Sequence, residues 1–156
     1  GKPLSKTDKE EGFFRMLGKE GTDLPELLKD LFEELEELQL KRKFGTSKIG
    51  SVIVNSPFDV RFCEENGTLI HERPFNFGVF YANGTFKNFS CQGVVGRDYL
   101  SELAKIIPNS KFVRHTNEFR NCVLNLAGDY LRVEEVLSVK DPWLDLLREH
   151  LRRLKG

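Results

Sequence analysis

Between Ser47 and Cys91 the apolar residues recur at every second position, and the alternation is interrupted at Asn66-Gly67 and again at Asn83-Gly84. A period of two puts one face of a strand in a core, and Asn-Gly supplies the positive φ values that a tight hairpin turn needs. The stretch therefore predicts an antiparallel meander built from "SKIGSVIVN", "FDVRFCEE", "TLIHERP", "FNFGVFYA" and "TFKNFSC". With two-residue loops, Arg61 stands opposite Glu72, Cys63 opposite Ile70 and Tyr81 opposite Phe86. A second hairpin signal lies in "LNLAGDYLRVEE", which turns at Gly128-Asp129. There Leu124, Leu126, Leu131 and Val133 would share the buried face.

The meander is flanked by helical patterns. Thr7-x-x-Glu10 has capping-box spacing and opens a short helix through Phe13, Phe14, Met16 and Leu17, ended by Gly18. A longer helix starts at Asp23 with Pro25 in its first turn. It carries Leu24, Leu28, Leu31, Leu35 and Leu38 on one stripe, widened by Leu27 and Phe32, with Lys41, Arg42 and Lys43 at its end and Gly45 as stop. The stripe could zip to a second copy, but its width is that of a helix packed on a sheet. "RDYLSELAKII" is a third helix, followed by strands "KFVRHT" and "FRNCVLNLA". The last helix is capped by Asp141 with Pro142 at its first position. Leu144, Leu147, Leu151 and Leu154 form its apolar stripe, and Arg148, Arg152, Arg153 and Lys155 its basic face.

A chain of 156 residues is long enough for one core, here a peripheral segment over 1–20 and a single α+β domain over 21–156, with a central antiparallel sheet flanked by helices. Gly1 stands where an initiator Met would, so the chain reads as a piece of something longer. Lys+Arg and Asp+Glu number 24 each, so nucleic acid is not an expected partner of the whole surface, although a local basic patch is compatible with that balance. The odd cysteine count (Cys63, Cys91, Cys122) without close pairing predicts reduced thiols and a cytoplasmic setting, and no run is apolar enough for a membrane span. Asn66, Asn83 and Asn88 head glycosylation sequons. In the first two, hairpin chemistry accounts for the Asn-Gly-Thr triplet without any sugar.

No motif names a reaction. Thiol catalysis would need Cys91 beside His115, but no helix N-terminus follows Cys91 closely enough to activate it. His71, His115 and His150 sit singly, without metal-ligand spacing, and no cofactor or metal is expected. Asp59 and Glu72 lie in a nuclease-like layout whose lysine position is Pro74, so a related site would be inactive. Gly93-x-x-Gly96 with Arg97 before a helix could hold an anion on free N–H groups, or be a flexible link. Phe75, Phe77, Phe80 and Phe89 could line a small-ligand pocket, or fill a core.

"KFVRHTNEFRNCVLNLAGDYLRVEEVLSVKDPWLDLLREHLRRL" resembles the C-terminal half of the roadblock family of dynein light-chain-like regulators, in which a "gd-YL" hairpin precedes a helix ending in Leu-Arg-Arg-Leu-like residues. "LPELLKDLFEEL" and "IGSVIVN" resemble the family's opening helix and first strand, and "RDYLSELAKII" its central helix. The Phe-rich stretch from about residue 66 to 92 is an insertion relative to that pattern, and profilin-like and PAS-like sensor domains share the same element order. The resemblance implies a homodimer that docks a small GTPase or another signalling protein and has no catalytic residues. Its self-association surface would be Leu100, Leu103, Ile107 and Val113. A non-enzymatic interaction module is thus the expected function, with a small-ligand sensor and a thiol hydrolase as alternatives.

Overall fold

A computed structural model of the chain describes residues 5–45, 50–88, 92–116 and 121–156. The chain is α+β. Helices α1 (Lys6–Gly18) and α2 (Leu24–Glu37) precede strands β1 (Lys41–Phe44), β2 (Ser51–Cys63), β3 (Leu69–Tyr81) and β4 (Thr85–Lys87). Helix α3 (Gly93–Ile106), strands β5 (Ser110–Val113), β6 (Cys122–Asn125) and β7 (Leu131–Arg132), and helices α4 (Val133–Leu137) and α5 (Lys140–Lys155) complete it. One antiparallel sheet runs β1-β2-β3-β4-β7, and β5 with β6 forms a small second sheet.

The meander is longer and more irregular than its sequence suggests. "SKIGSVIVN" and "FDVRFCEE" contribute to one strand, β2, and "TLIHERP" and "FNFGVFYA" to its partner β3. The predicted pairing of Arg61 with Glu72 is present, whereas Cys63 meets Leu69 rather than Ile70, and Phe86 meets Phe80 rather than Tyr81. Both shifts begin at the turns, and a bulge between Phe62 and Cys63 restores the expected register by Arg61. The turns take three residues, not two, as at Ala82-Asn83-Gly84, where the Gly84 N–H donates to the Tyr81 carbonyl and Gly84 takes the left-handed φ of +88°. Asn83 Oδ1 accepts the Thr85 N–H, and Asn66 Oδ1 that of Thr68, so these sequon side chains brace their own turns. The third, Asn88, is buried at 5% exposure.

The long helix pattern ends sooner than its charges suggest. Gln39 adopts φ +66° and the Leu40 N–H closes back on the Leu35 carbonyl, which stops α2 and turns Lys41, Arg42 and Lys43 into edge strand β1. Leu27, assigned to the apolar stripe, is 44% exposed. Helix α1 is capped by Ser5, whose hydroxyl accepts the Asp8 N–H, and not by Thr7. The hairpin of "LNLAGDYLRVEE" turns at Gly128 and bridges Leu124 to Tyr130 as expected, but its arms then part: β6 pairs with β5, β7 pairs with β4, Leu126 is exposed and Val133 opens α4. Helix α5 begins at Lys140, so Asp141 lies in its first turn instead of capping it.

The main sheet buries one face. Val52, Val54, Phe62, Phe75, Phe77, Phe80, Phe86 and Leu131 join a single core with side chains from all the larger helices, among them Leu28, Leu31, Leu35, Leu103, Trp143 and Leu147. Two irregularities in the β2–β3 ladder shape that face. Asn55 pairs with Asn76 and the next registered pair is Asp59 with Pro74, so Ser56, Pro57 and Phe58 stand against Phe75. Pro57 and Pro74 have no N–H to offer a ladder. The buried Ser56 hydroxyl fills in, accepting the Phe75 N–H (2.8 Å) and donating to the Phe58 carbonyl (2.7 Å). A bulge follows at Phe77, and its backbone is satisfied by side chains. Gln92 brackets Asn76, accepting its N–H (2.6 Å) and donating to its carbonyl (2.9 Å). Asn76 Oδ1 accepts the Gly78 N–H, and the Phe77 carbonyl accepts from both Asn88 Nδ2 and the Tyr99 hydroxyl. Gly78 is required there for space, because a Cβ would run into the Phe86 ring.

Tyr99 in turn accepts the Trp143 indole N–H at 3.0 Å, so one hydroxyl joins β3, α3 and α5 inside the core. Removing it orphans the indole donor in a dry site, and a buried unpaired donor costs about 1–3 kcal/mol. Tyr99→Phe should therefore lower the unfolding free energy by roughly that amount in chemical denaturation. A loss indistinguishable from zero would show that the hydroxyl does not hold these elements together.

Candidate functional site

The opposite face of the main sheet lies outside the core cluster of the described residues. Where Val52, Val54 and Phe80 are buried, their alternating neighbours Ser51, Ile53, Asn55, Val79 and Tyr81 are half-buried and belong to no part of the core. Register carries one row across four strands: Lys43 opposite Ile53, Ile53 opposite Val79, and Val79 opposite Lys87. Beside it Lys41 stands opposite Asn55 and Asn55 opposite Asn76, while Ser51 faces Tyr81. The lysines of β1 are exposed and keep a free edge from pairing with another strand. The Lys87 ammonium lies 4.8 Å from the Tyr81 ring centre and 4.2 Å from that of Tyr130, which is 42% exposed. These contacts gather two phenols and a cation into one patch. None of the row positions carries a carboxylate, so the patch is cationic although the whole chain is neutral.

A second concavity, a cleft of about 620 Å³, lies between α1, α2 and β1, with Phe14, Phe32 and Phe44 on its walls. The Lys29 ammonium sits 5.0 Å from the Phe14 ring centre and the Arg42 guanidinium 5.8 Å from that of Phe32. Lys6, Lys29 and Arg42 on its rim are matched by Glu10, Glu11 and Glu33, so it has no net electrostatic preference.

Phe75, Phe77 and Phe80 are fully buried and stacked on neighbouring rings, Phe75 and Phe77 against Tyr99, and Phe80 against Phe86 and Trp143. Phe89, like Cys91 of the thiol pair, lies outside the described residues. His115 is exposed, and its backbone N–H donates to Asn121 Oδ1. Gly93, Gly96 and Arg97 do come together in the first turn of α3, which begins earlier than "RDYL" suggests. A Cβ on Gly93 would collide with the Cys63 carbonyl, so the end of β2 covers this turn. Arg97 donates to Glu65 Oε1 at 2.8 Å, and Arg114 reaches the same oxygen at 3.4 Å. The bond from Arg97, and then its charge, hold the Glu65 carboxyl below the usual range.

Leu100, Leu103 and Ile107 are at most 3% exposed inside the monomer, and Val113 is half-buried on β5. Little of this surface faces outward. The basic face of α5 is partly answered within the helix: Arg148 pairs with Asp145, and Arg152 and Arg153 share Glu149. Asp59 and Glu72 are exposed, opposite Pro74 and Arg61 respectively. Among the described residues no group of three or more His, Cys, Asp or Glu side chains is arranged to hold a metal ion. Cys122 is buried, and burial pushes its thiol up, away from reactivity. No helix among the described residues is long and apolar enough to cross a membrane. The chain matches no family model, no curated protein and no solved structure.

One buried titratable group stands apart. His150 on α5 is 1% exposed and packs on the Tyr99 ring at 5.3 Å. Burial and then the charge of Arg153 lower its pKa from 6.5, opposed by the Leu146 carbonyl and, after it, by Asp98 and Glu102 on α3. The unfolded chain therefore binds this proton more readily than the folded one. The stability it leaves intact above pH 6.5 is lost as pH falls through the range below. Unfolding free energy should decline there by up to about 1.4 kcal/mol per pH unit, and His150→Leu should flatten the decline. An unchanged slope in the variant would assign the acid sensitivity to other groups.

Proposed function

We propose that the protein is a non-enzymatic binding module that engages an anionic macromolecular partner through the face of its main sheet opposite the core. The observation that carries this reading is the row Lys43–Ile53–Val79–Lys87. Two cations, with Lys41 beside them, frame a half-buried apolar tread and a tyrosine pair. Three strand spacings make the row about 14 Å wide, broad enough to seat an extended chain across the strands. A second copy of the same face is a poor occupant, because two-fold packing would set lysines against lysines. The arginines of α5 are partly offset by acids one turn away, Arg152 and Arg153 sharing Glu149, and they stand without aromatic neighbours of the kind that Lys87 has.

Retention on an immobilised polyanion such as heparin tests the reading. Lys43→Glu with Lys87→Glu should elute near the start of a salt gradient. Lys41→Glu with Lys43→Glu, confined to the exposed edge strand where the fold is not at stake, should also elute earlier than the native chain. Arg148→Glu with Arg152→Glu should elute where the native chain does. Equal retention of the lysine variants, or a shift produced only by the arginine variant, would remove the sheet face as the interface.

A further inference from the structure

We infer that the anionic partner is a single-stranded nucleic acid, an inference that rests on the sheet-face reading above. An acidic peptide would satisfy Lys41, Lys43 and Lys87, but its carboxylates have no use for the aromatic and apolar groups between them. Bases do. Every base has a π-face that stacks on a phenol ring or lies on an aliphatic tread, while phosphates seek the flanking ammonium groups. Tyr81 and Tyr130 are held in one patch by Lys87, and Ile53 and Val79 continue the tread toward Lys43. Tyr81 is half-buried, Tyr130 is 42% exposed, and neither ring belongs to the core cluster. Asn55 and Ser51, on the same face, offer donors and acceptors to base edges. The shape of the face also selects. A duplex buries its base faces within its own stack and is read by an element that enters a groove, whereas a sheet face meets splayed bases directly.

Fluorescence anisotropy with a labelled oligothymidylate of about twelve nucleotides, a length in the range that single-strand binding domains cover, tests this. The same oligomer annealed to its complement and a labelled polyglutamate peptide serve as competing probes. The single strand should bind most tightly, with affinity falling steeply as salt rises. Tyr81→Leu and Tyr130→Leu, which keep apolar bulk and every lysine, should each weaken it about tenfold. If polyglutamate binds as well and the tyrosine variants match the native chain, the nucleic-acid inference falls while the anionic-partner reading stands. Equal binding of duplex and single strand overturns the inference in the same way. If no probe binds and heparin retention is also insensitive to the lysines, both are overturned.

Discussion

The backbone of β3 between Phe75 and Gly78 is the constraint on which the rest of the structure depends. Two prolines and a bulge deprive this stretch of regular ladder partners, in the middle of the core where an unpaired N–H or carbonyl costs about 1–3 kcal/mol. Side chains make up the deficit: Ser56 from β2, Gln92 from the turn before α3, Asn88 after β4, Tyr99 from α3, and Asn76 itself. Each bond fixes an element as well as a polar group. Gln92 and Tyr99 seat α3, and Trp143, donating to Tyr99, seats α5. A network of this kind specifies one arrangement, since every alternative leaves some member unpaired.

With those elements held against one face, the aromatic mass of the chain is consumed on that side. Phe75, Phe77, Phe80 and Phe86 meet Tyr99 and Trp143 edge-on, the geometry that ring quadrupoles favour. The other face keeps the residues that a half-wet antiparallel sheet can expose: lysine, asparagine, serine, tyrosine and an isolated β-branched pair toward β1 and β4, with Asp59, Arg61 and Glu72 at the far end of β2 and β3. The local cationic patch is invisible in a net charge of zero, because acid is in excess elsewhere, above all on α2, where six carboxylates accompany one lysine.

How much was legible in the sequence follows from which signals are local. Alternation and Asn-Gly identified the meander, and leucine spacing identified α2, α3 and α5, since these patterns report a single element and its buried side. Pairing register was misread by one residue at Tyr81, because a three-residue turn and a two-residue turn use the same Asn-Gly dipeptide. The cluster Lys41-Arg42-Lys43 read as a helix end until Gln39, a residue with no special tolerance for positive φ, took a left-handed turn that tertiary packing imposes. Leu100, Leu103 and Ile107 have the same periodicity whether they face a core or a partner, so only the fold separates the two. The sheet-face patch is not legible in the sequence for a further reason. Its residues lie on β1, β2, β3, β4 and just before β7, and only the sheet order makes neighbours of Lys43, Tyr81, Lys87 and Tyr130.

Amide chemical-shift mapping while a single-stranded oligonucleotide is titrated into the protein tests the central claim most directly, because it reports every strand and helix at once. The account predicts that shifts gather at Lys43, Ile53, Val79, Tyr81, Lys87 and Tyr130, with the buried turn from Gln92 to Tyr99 unmoved. Shifts gathered instead around Phe14, Phe32 and Arg42, in the cleft between α1 and α2, or along the arginines of α5, would contradict it.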